Sequence, residues 1–209
     1  MEKIIYIIIL ILLEHDFYKD INTIYSPTSY NFLVNKNNRL TDDYEPIDLE
    51  KISLEYSCEN KYLRHDAKVA FEKMAKDAKD NGYNIIAVST YRPYDYQEKL
   101  YNNYVKSKGK YYADLASARP GHSEHQTGLA VDVADLSLDY DNFEKTKEFY
   151  WMKENSYKYG FILRYPKAKF HITGFKYEPW HYRYVGIDVS NYIYKNNITL
   201  EEYYLIDNI

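Results

Sequence analysis

Residues 120–133 read PGHSEHQTGLAVDV, and their second half alternates: Leu129, Val131 and Val133 fall on one face of an extended chain, Gly128, Ala130 and Asp132 on the other. Such a pattern predicts a strand with one buried face and places Asp132 away from the apolar side. Upstream, Leu63, Ala67, Ala70, Phe71, Met74, Ala75 and Ala78 recur at helical spacing among Lys and Glu until Asn81 and Gly82, the pattern of a helix that turns one face to a core. Ile85 to Val88 reads as a short strand, and after Arg92 and Pro93 a second helix carries Gln97, Leu100, Tyr101, Tyr104 and Val105 as far as Gly109. A third helix is expected from Lys145 to Lys158, ending before Gly160. The tail from Phe161 reads as short strands separated by Gly174, Pro179 and Gly186. Helices and strands mixed in this order predict an α+β fold.

The composition sets outer bounds. With 209 residues, 45% of them hydrophobic, and a net charge of -4, the chain is an ordinary globular one, long enough to bury a core as one domain with an arm. A lone cysteine, Cys58, forms no internal disulfide, so packing must supply the stability. A pI near 5.9 provides no basic face for phosphate, which excludes nucleic acid as the partner. The N-terminus, MEKIIYIIILILL, puts one lysine ahead of an apolar run from Ile4 to Leu13 and then turns polar at Glu14. A run of this length falls short of the ~20 residues that span a bilayer as a helix. It suits a signal-peptide core, although Glu2 and the lack of a small-residue cleavage site leave an uncleaved anchor open. The competing reading is a buried element of the domain. Residues 14–45, polar and rich in Asn and Tyr with Pro27 near their middle, read as an irregular arm. The expected organisation is a signal peptide or membrane anchor over 1–13, a linker over 14–30 and the domain over 31–209.

Of the six histidines, two stand in phrases that call for an explanation: SEHQTGLAVD, Ser123 to Asp132, and EPWH, Glu178 to His181. A catalytic zinc takes three N or O side chains and keeps its fourth position for water. His125, Asp132 and His181 suffice. A strand would hold Asp132 rigidly while the turn at Gln126, Thr127 and Gly128 folds His125 back toward it, the glycine leaving room where a side chain would clash. Glu178 precedes His181 by three residues with Pro179 between them, so both side chains can enter one cleft and set a base beside a Lewis acid. Arg92, between a strand end and a helix start, is placed for an anion, either a substrate carboxylate or a developing oxyanion. Trp180 is expected to pack behind His181, and His122 to give the site support at most.

These phrases, with LVNKNNRL (Leu33 to Leu40), STYRPYDYQ (Ser89 to Gln97) and YEPWHYRYVG (Tyr177 to Gly186), resemble the zinc D-alanyl-D-alanine carboxypeptidases of the VanY type and the related peptidoglycan LD-carboxypeptidases. The family pattern S-x-H-x-x-G-x-A-x-D is complete as Ser123, His125, Gly128, Ala130 and Asp132. The resemblance implies His125, Asp132 and His181 as ligands of Zn2+, Glu178 as the base, and Arg92, Gln97 and Ser123 lining the substrate site. Thr90 stands where the family has glycine, a change expected to narrow the pocket or reset its specificity. The implied fold is a small antiparallel sheet with flanking helices, shared with the hedgehog signalling domain. The implied activity is removal of the terminal D-alanine from peptidoglycan stem peptides; with the apolar N-terminal run read as an export segment, the expectation is a monomer on the outer face of the membrane or in the wall. The alternatives are an LD-carboxypeptidase acting on tetrapeptide stems, a cell-wall endopeptidase, or an inactive wall-binding module that kept the fold. An intact Glu178 argues against the last, since a binder has no use for a base.

Overall fold

The computed structural model describes residues 17–207 apart from residue 28. In chain order it contains β1 (Asn22–Ile24), β2 (Asn38–Leu40), β3 (Leu49–Lys51), β4 (Tyr62–Arg64), α1 (His65–Asp80), β5 (Ile86–Ser89), α2 (Tyr94–Lys108), α3 (Lys110–Ala116), β6 (Ala130–Ala134), α4 (Lys147–Asn155), β7 (Phe161–Leu163), α5 (Phe170–Thr173), β8 (His181–Tyr184), α6 (Ile187–Asn196) and α7 (Leu200–Asp207). Single 3-10 turns occupy Glu124–Thr127, Tyr140–Lys145 and Ser156–Tyr159.

Strands β5, β6, β8 and β7, in that spatial order, form one antiparallel sheet. The α+β fold with a small antiparallel sheet is therefore as expected. The alternation in β6 decides which face does what. Val131 and Val133 join Tyr182 and Phe161 in the core, where Ala67, Phe71, Met74 and Ala78 of α1 meet them. Phe71 sits edge-on to Phe161 with centroids 6.2 Å apart. Each fully buried side chain of this size contributes about 1.5–3 kcal/mol, which fixes how α1 lies on the sheet. Asp132, His181 and Arg183 are left to the opposite face.

Several expectations change in detail. The strand begins at Ala130 rather than Gly128, because Gly128 closes the preceding turn. The helix read over 145–158 is split between the turn at Tyr140–Lys145, α4 and the turn at Ser156–Tyr159. The tail, read as strands, also holds three helices. Two of them, α6 and α7, bring Val189, Ile193 and Leu200 against Ile162 and Val185 as a second small cluster. Two apolar residues four apart, Val189 and Ile193, are too short a signal to announce a helix whose partners lie elsewhere in the chain.

The arm is more closely bound than its composition suggests. β1 pairs in parallel with β2. Phe32, Val34 and Leu40 belong to the core. Tyr18 donates its backbone N–H to Asn37 Oδ1 at 2.9 Å, accepts the Arg119 N–H on its hydroxyl at 3.3 Å and lies edge-on to His122. Phe17 covers Gly174, where a Cβ would come within 2.8 Å of its ring. The described part of the linker expected over 14–30 is thus docked on the domain. The apolar run before it lies outside the described residues, and among those described no helix is long and apolar enough to cross a membrane.

Candidate active site

The site grows from one register. In the β6–β8 pair Asp132 stands directly opposite His181, so their side chains share a face. Asp132 Oδ1 lies 2.8 Å from His181 Nδ1. His125 comes from the turn at Glu124–Thr127. Ser123 caps that turn by accepting the His125 N–H on its Oγ at 3.3 Å. Gly128 ends it at φ 67°, with no room for a Cβ: Leu49 Cδ2 would be 2.9 Å away and Arg64 Cγ 3.0 Å. The turn thereby returns His125 Nε2 to 3.2 Å from Asp132 Oδ2. One ligand atom each from His125, Asp132 and His181 lies within 4.8 Å of the other two.

The protonation pattern tests whether a cation fits. His125 Nδ1 is 2.7 Å from the Thr90 carbonyl oxygen, which only accepts, so Nδ1 carries the hydrogen. Burial, reinforced by the Arg92 charge, holds the His125 pKa down at about 4 and keeps the ring neutral. Its Nε2 lone pair then faces a carboxylate oxygen. Two electron-pair donors aimed at each other are what a divalent cation relieves. Two imidazoles and one carboxylate, all buried, match the donor set of a catalytic zinc site. Burial works against the charge of Asp132 too, yet His125 and His181 hold its carboxyl well below the ordinary range. The hydrogen bonds to Asp132 and Glu124 overcome burial at His181 and raise it to about 9.

A cleft of about 570 Å³ opens over these groups, lined among others by Arg92, Ser123, Tyr140, Glu178 and Trp180. Glu178 is fixed by its backbone, its N–H donating to the Tyr165 carbonyl at 3.1 Å and its carbonyl accepting the His181 N–H at 3.2 Å. Burial raises its carboxyl to about 7, with His181 opposing and the Asp132 charge adding to the rise. That value suits a group that takes and returns a proton near neutral pH. Arg92 donates from Nη1 to Ser89 Oγ at 3.1 Å, and the same nitrogen is 4.0 Å from Asp132 Oδ2. Its buried Nε has no hydrogen-bond partner in the protein.

Six of the seven residues singled out from sequence thus meet in one cleft. Gln97 does not reach it. Its amide donates to Ser117 Oγ at 3.1 Å and to the Ala118 carbonyl at 2.8 Å, so it braces from behind a stretch of the cleft wall. Thr90 does not narrow the pocket either, because its hydroxyl turns away to accept the Tyr62 N–H at 3.0 Å. His122 faces the arm, its Nδ1 2.9 Å from the Asn35 carbonyl.

The sequence reading missed Glu124, Arg164 and Arg183, all 1% exposed or less. Glu124 lies 2.7 Å from Arg164, 2.8 Å from Arg183 and 3.2 Å from His181 Nε2. A signal was present: Arg183 is two residues from His181, so in a strand both point to the same buried face, where a charge requires a partner.

A family model described as VanY, D-alanyl-D-alanine carboxypeptidase, matches residues 60–187. The chain belongs to the VanY family. The YodJ protein of Bacillus subtilis (strain 168) is 44% identical over 205 residues, 92% of this chain and 75% of its own. Among solved structures, the LdcB LD-carboxypeptidase is 44% identical with a TM-score of 0.83, covering 90% of this chain and 92% of that one. A mutant of the D,D-pentapeptidase VanY from the VanB-type resistance cassette, in complex with Zn(II), is 34% identical with a TM-score of 0.71, covering 83% and 98%. The VanY pattern thus extends through the sheet and cleft described above.

Proposed function

We propose that the protein is a zinc-dependent D-alanyl-D-alanine carboxypeptidase that removes the terminal D-alanine from peptidoglycan stem peptides, working as a monomer outside the cell membrane. The observation that carries this is the meeting of His125, Asp132 and His181 with Glu178 and Arg92 in one cleft. The VanY relatives support the substrate class. Export rests on the apolar run Ile4 to Leu13, which as an uncleaved segment would anchor the domain to the membrane.

His125, Asp132 and His181 are the metal ligands in this reading. Zinc, when bound there, supplies a Lewis acid that polarises the scissile carbonyl and makes water more acidic. Glu178 takes the proton from the attacking water and returns it to the leaving D-alanine nitrogen, so no covalent intermediate is needed. Arg92 donates to the substrate carboxylate or to the oxyanion of the tetrahedral intermediate. Ser123 presents its hydroxyl at the cleft wall while holding the turn that carries His125.

A second reading, LD-carboxypeptidase action on tetrapeptide stems, is favoured by the similarity to LdcB at a TM-score of 0.83. Incubation with pentapeptide and tetrapeptide stems, followed by mass spectrometry, separates the two. Loss of one alanine from the pentapeptide alone supports the proposal, loss from the tetrapeptide alone supports the second reading, and two intact substrates sink both in favour of a binding module.

A further inference from the structure

We infer that Glu124 is a positioning residue that locks His181 in the tautomer presenting Nδ1 to the metal; this rests on reading His125, Asp132 and His181 as a metal site. Glu124 is 1% exposed, and its two oxygens have separate work. Oε1 accepts from Arg164 Nε at 2.7 Å and from Arg183 Nη1 at 2.8 Å. Oε2 lies 3.2 Å from His181 Nε2. A carboxylate shared by two guanidinium groups is ionised and can only accept, so the hydrogen between Oε2 and the ring belongs to Nε2. The nitrogen left with a lone pair once a metal displaces the second proton is Nδ1, which faces Asp132 Oδ1 at 2.8 Å, on the side where the ligand atoms converge.

The carboxylate cannot swing away, because both arginines are themselves held. Arg183 Nη2 donates to the carbonyls of Tyr30 at 3.0 Å and Phe32 at 2.9 Å. Arg164 Nη1 and Nη2 reach Glu201 at 2.8 and 2.6 Å. Tyr165 stacks on the His181 ring with centroids 5.0 Å apart, which prevents the ring from tilting out. A mere counter-ion for the arginines needs only Oε1, since Glu201 already supplies a second negative charge to Arg164. The orientation of Oε2 onto Nε2 is the part that a counter-ion does not explain. Partners of this kind behind metal-bound histidines are worth 10–100-fold in metal affinity.

The test compares Glu124→Gln with Glu201→Gln in the full chain. Both remove a charge from Arg164, but only the first touches His181. Competition against a zinc chelator should show affinity lowered by about 10–100-fold in Glu124→Gln and close to wild type in Glu201→Gln. Nitrogen-15 spectra of the zinc-loaded protein should show His181 protonated at Nε2, with this resonance shifted in Glu124→Gln and the His125 pair unchanged. Equal loss of affinity in the two variants, or wild-type affinity and spectra in Glu124→Gln, overturns the inference. Should Glu124→Gln fail to fold because it leaves too much buried positive charge, Glu124→Gln with Arg183→Gln is compared with Arg183→Gln alone. A wild-type protein that binds no zinc refutes the metal reading itself, and the inference with it.

Discussion

Replacing Glu178 by glutamine keeps the shape of the side chain and removes its ability to take a proton. The backbone bonds that hold residue 178, to the Tyr165 carbonyl and from the His181 N–H, do not involve the side chain, so the fold and the His181 position survive. Burial lifts Glu178 to about 7, which puts its proton affinity where a neutral-pH base is most effective. Positioned acid–base catalysis of this kind contributes roughly 10²–10⁴ in rate, or about 2.7–5.4 kcal/mol of barrier. The assay is release of D-alanine from a pentapeptide stem by zinc-replete protein, with metal content measured on the same sample. kcat should fall by that factor while KM and zinc content stay near wild type. In wild type the rate should also fall as the pH drops below about 7, because protonation removes the base; a nearby cation favours the carboxylate and moves this limb lower. The residual rate of Glu178→Gln should lack that limb. Near-normal turnover in the metal-replete variant would refute the mechanism, and loss of zinc would make Glu178 a ligand instead.

The remaining expectations concern the metal, the anion site, the arm and pH. His181→Ala or Asp132→Ala should lose zinc by metal analysis, since two remaining ligands hold a catalytic ion poorly; full occupancy would remove that residue from the site. Arg92→Ala should keep zinc and lower kcat/KM. If Arg92 clamps the terminal carboxylate, amidating the substrate should cost wild type much and the variant little, whereas an oxyanion role lowers kcat for both substrates. Starting the chain at residue 26 removes Phe17, Tyr18 and β1 and should lower the melting temperature; an unchanged melt would make those contacts idle. Burial holds His122 at about 4 against an ordinary 6.5, so between those values the unfolded chain takes up a proton that the folded chain refuses. Stability should therefore fall as pH drops through that window, by up to about 3 kcal/mol, and His122→Gln should flatten the slope in denaturant titrations.

What the sequence disclosed and what it withheld divide along physical lines. The alternation in Leu129 to Val133 and the helical spacing of Phe71, Met74 and Ala78 are local patterns set by burial of one face, and both elements are where those patterns put them. The ligand candidates were legible because a metal demands specific donor atoms, and these stand in two short phrases, Ser123 to Asp132 and Glu178 to His181. The pairing of Asp132 with His181 was not, since register depends on where a strand some fifty residues away is laid down. Gln97 was expected in the substrate site only from the family resemblance, but the first turns of α2 direct it to Ser117 and Ala118. Arg183 announced a buried charge by its spacing from His181, but its network partners, residues 124, 164 and 201, are too scattered for any linear motif to name them.

The charges of the cleft also argue for an exopeptidase. Asp132 and Glu178 contribute two negative charges at most, and Arg92 returns one positive charge within 4.0 Å of Asp132. Arg92 is pressed by burial toward losing its proton, so a second anion beside it relieves a real desolvation cost. With a divalent cation among His125, Asp132 and His181, the group formed by these ligands, Glu178 and Arg92 carries net positive charge, and the group that balances it is a carboxylate brought by the substrate. A free C-terminus supplies one next to the scissile bond; an internal peptide bond, as cut by an endopeptidase, does not. The buried Arg92 Nε, with no partner in the protein, is a donor available to that carboxylate. If amidated and free pentapeptides were hydrolysed equally well by wild type, this charge argument would fall, and an internal cut would become the better account of the cleft.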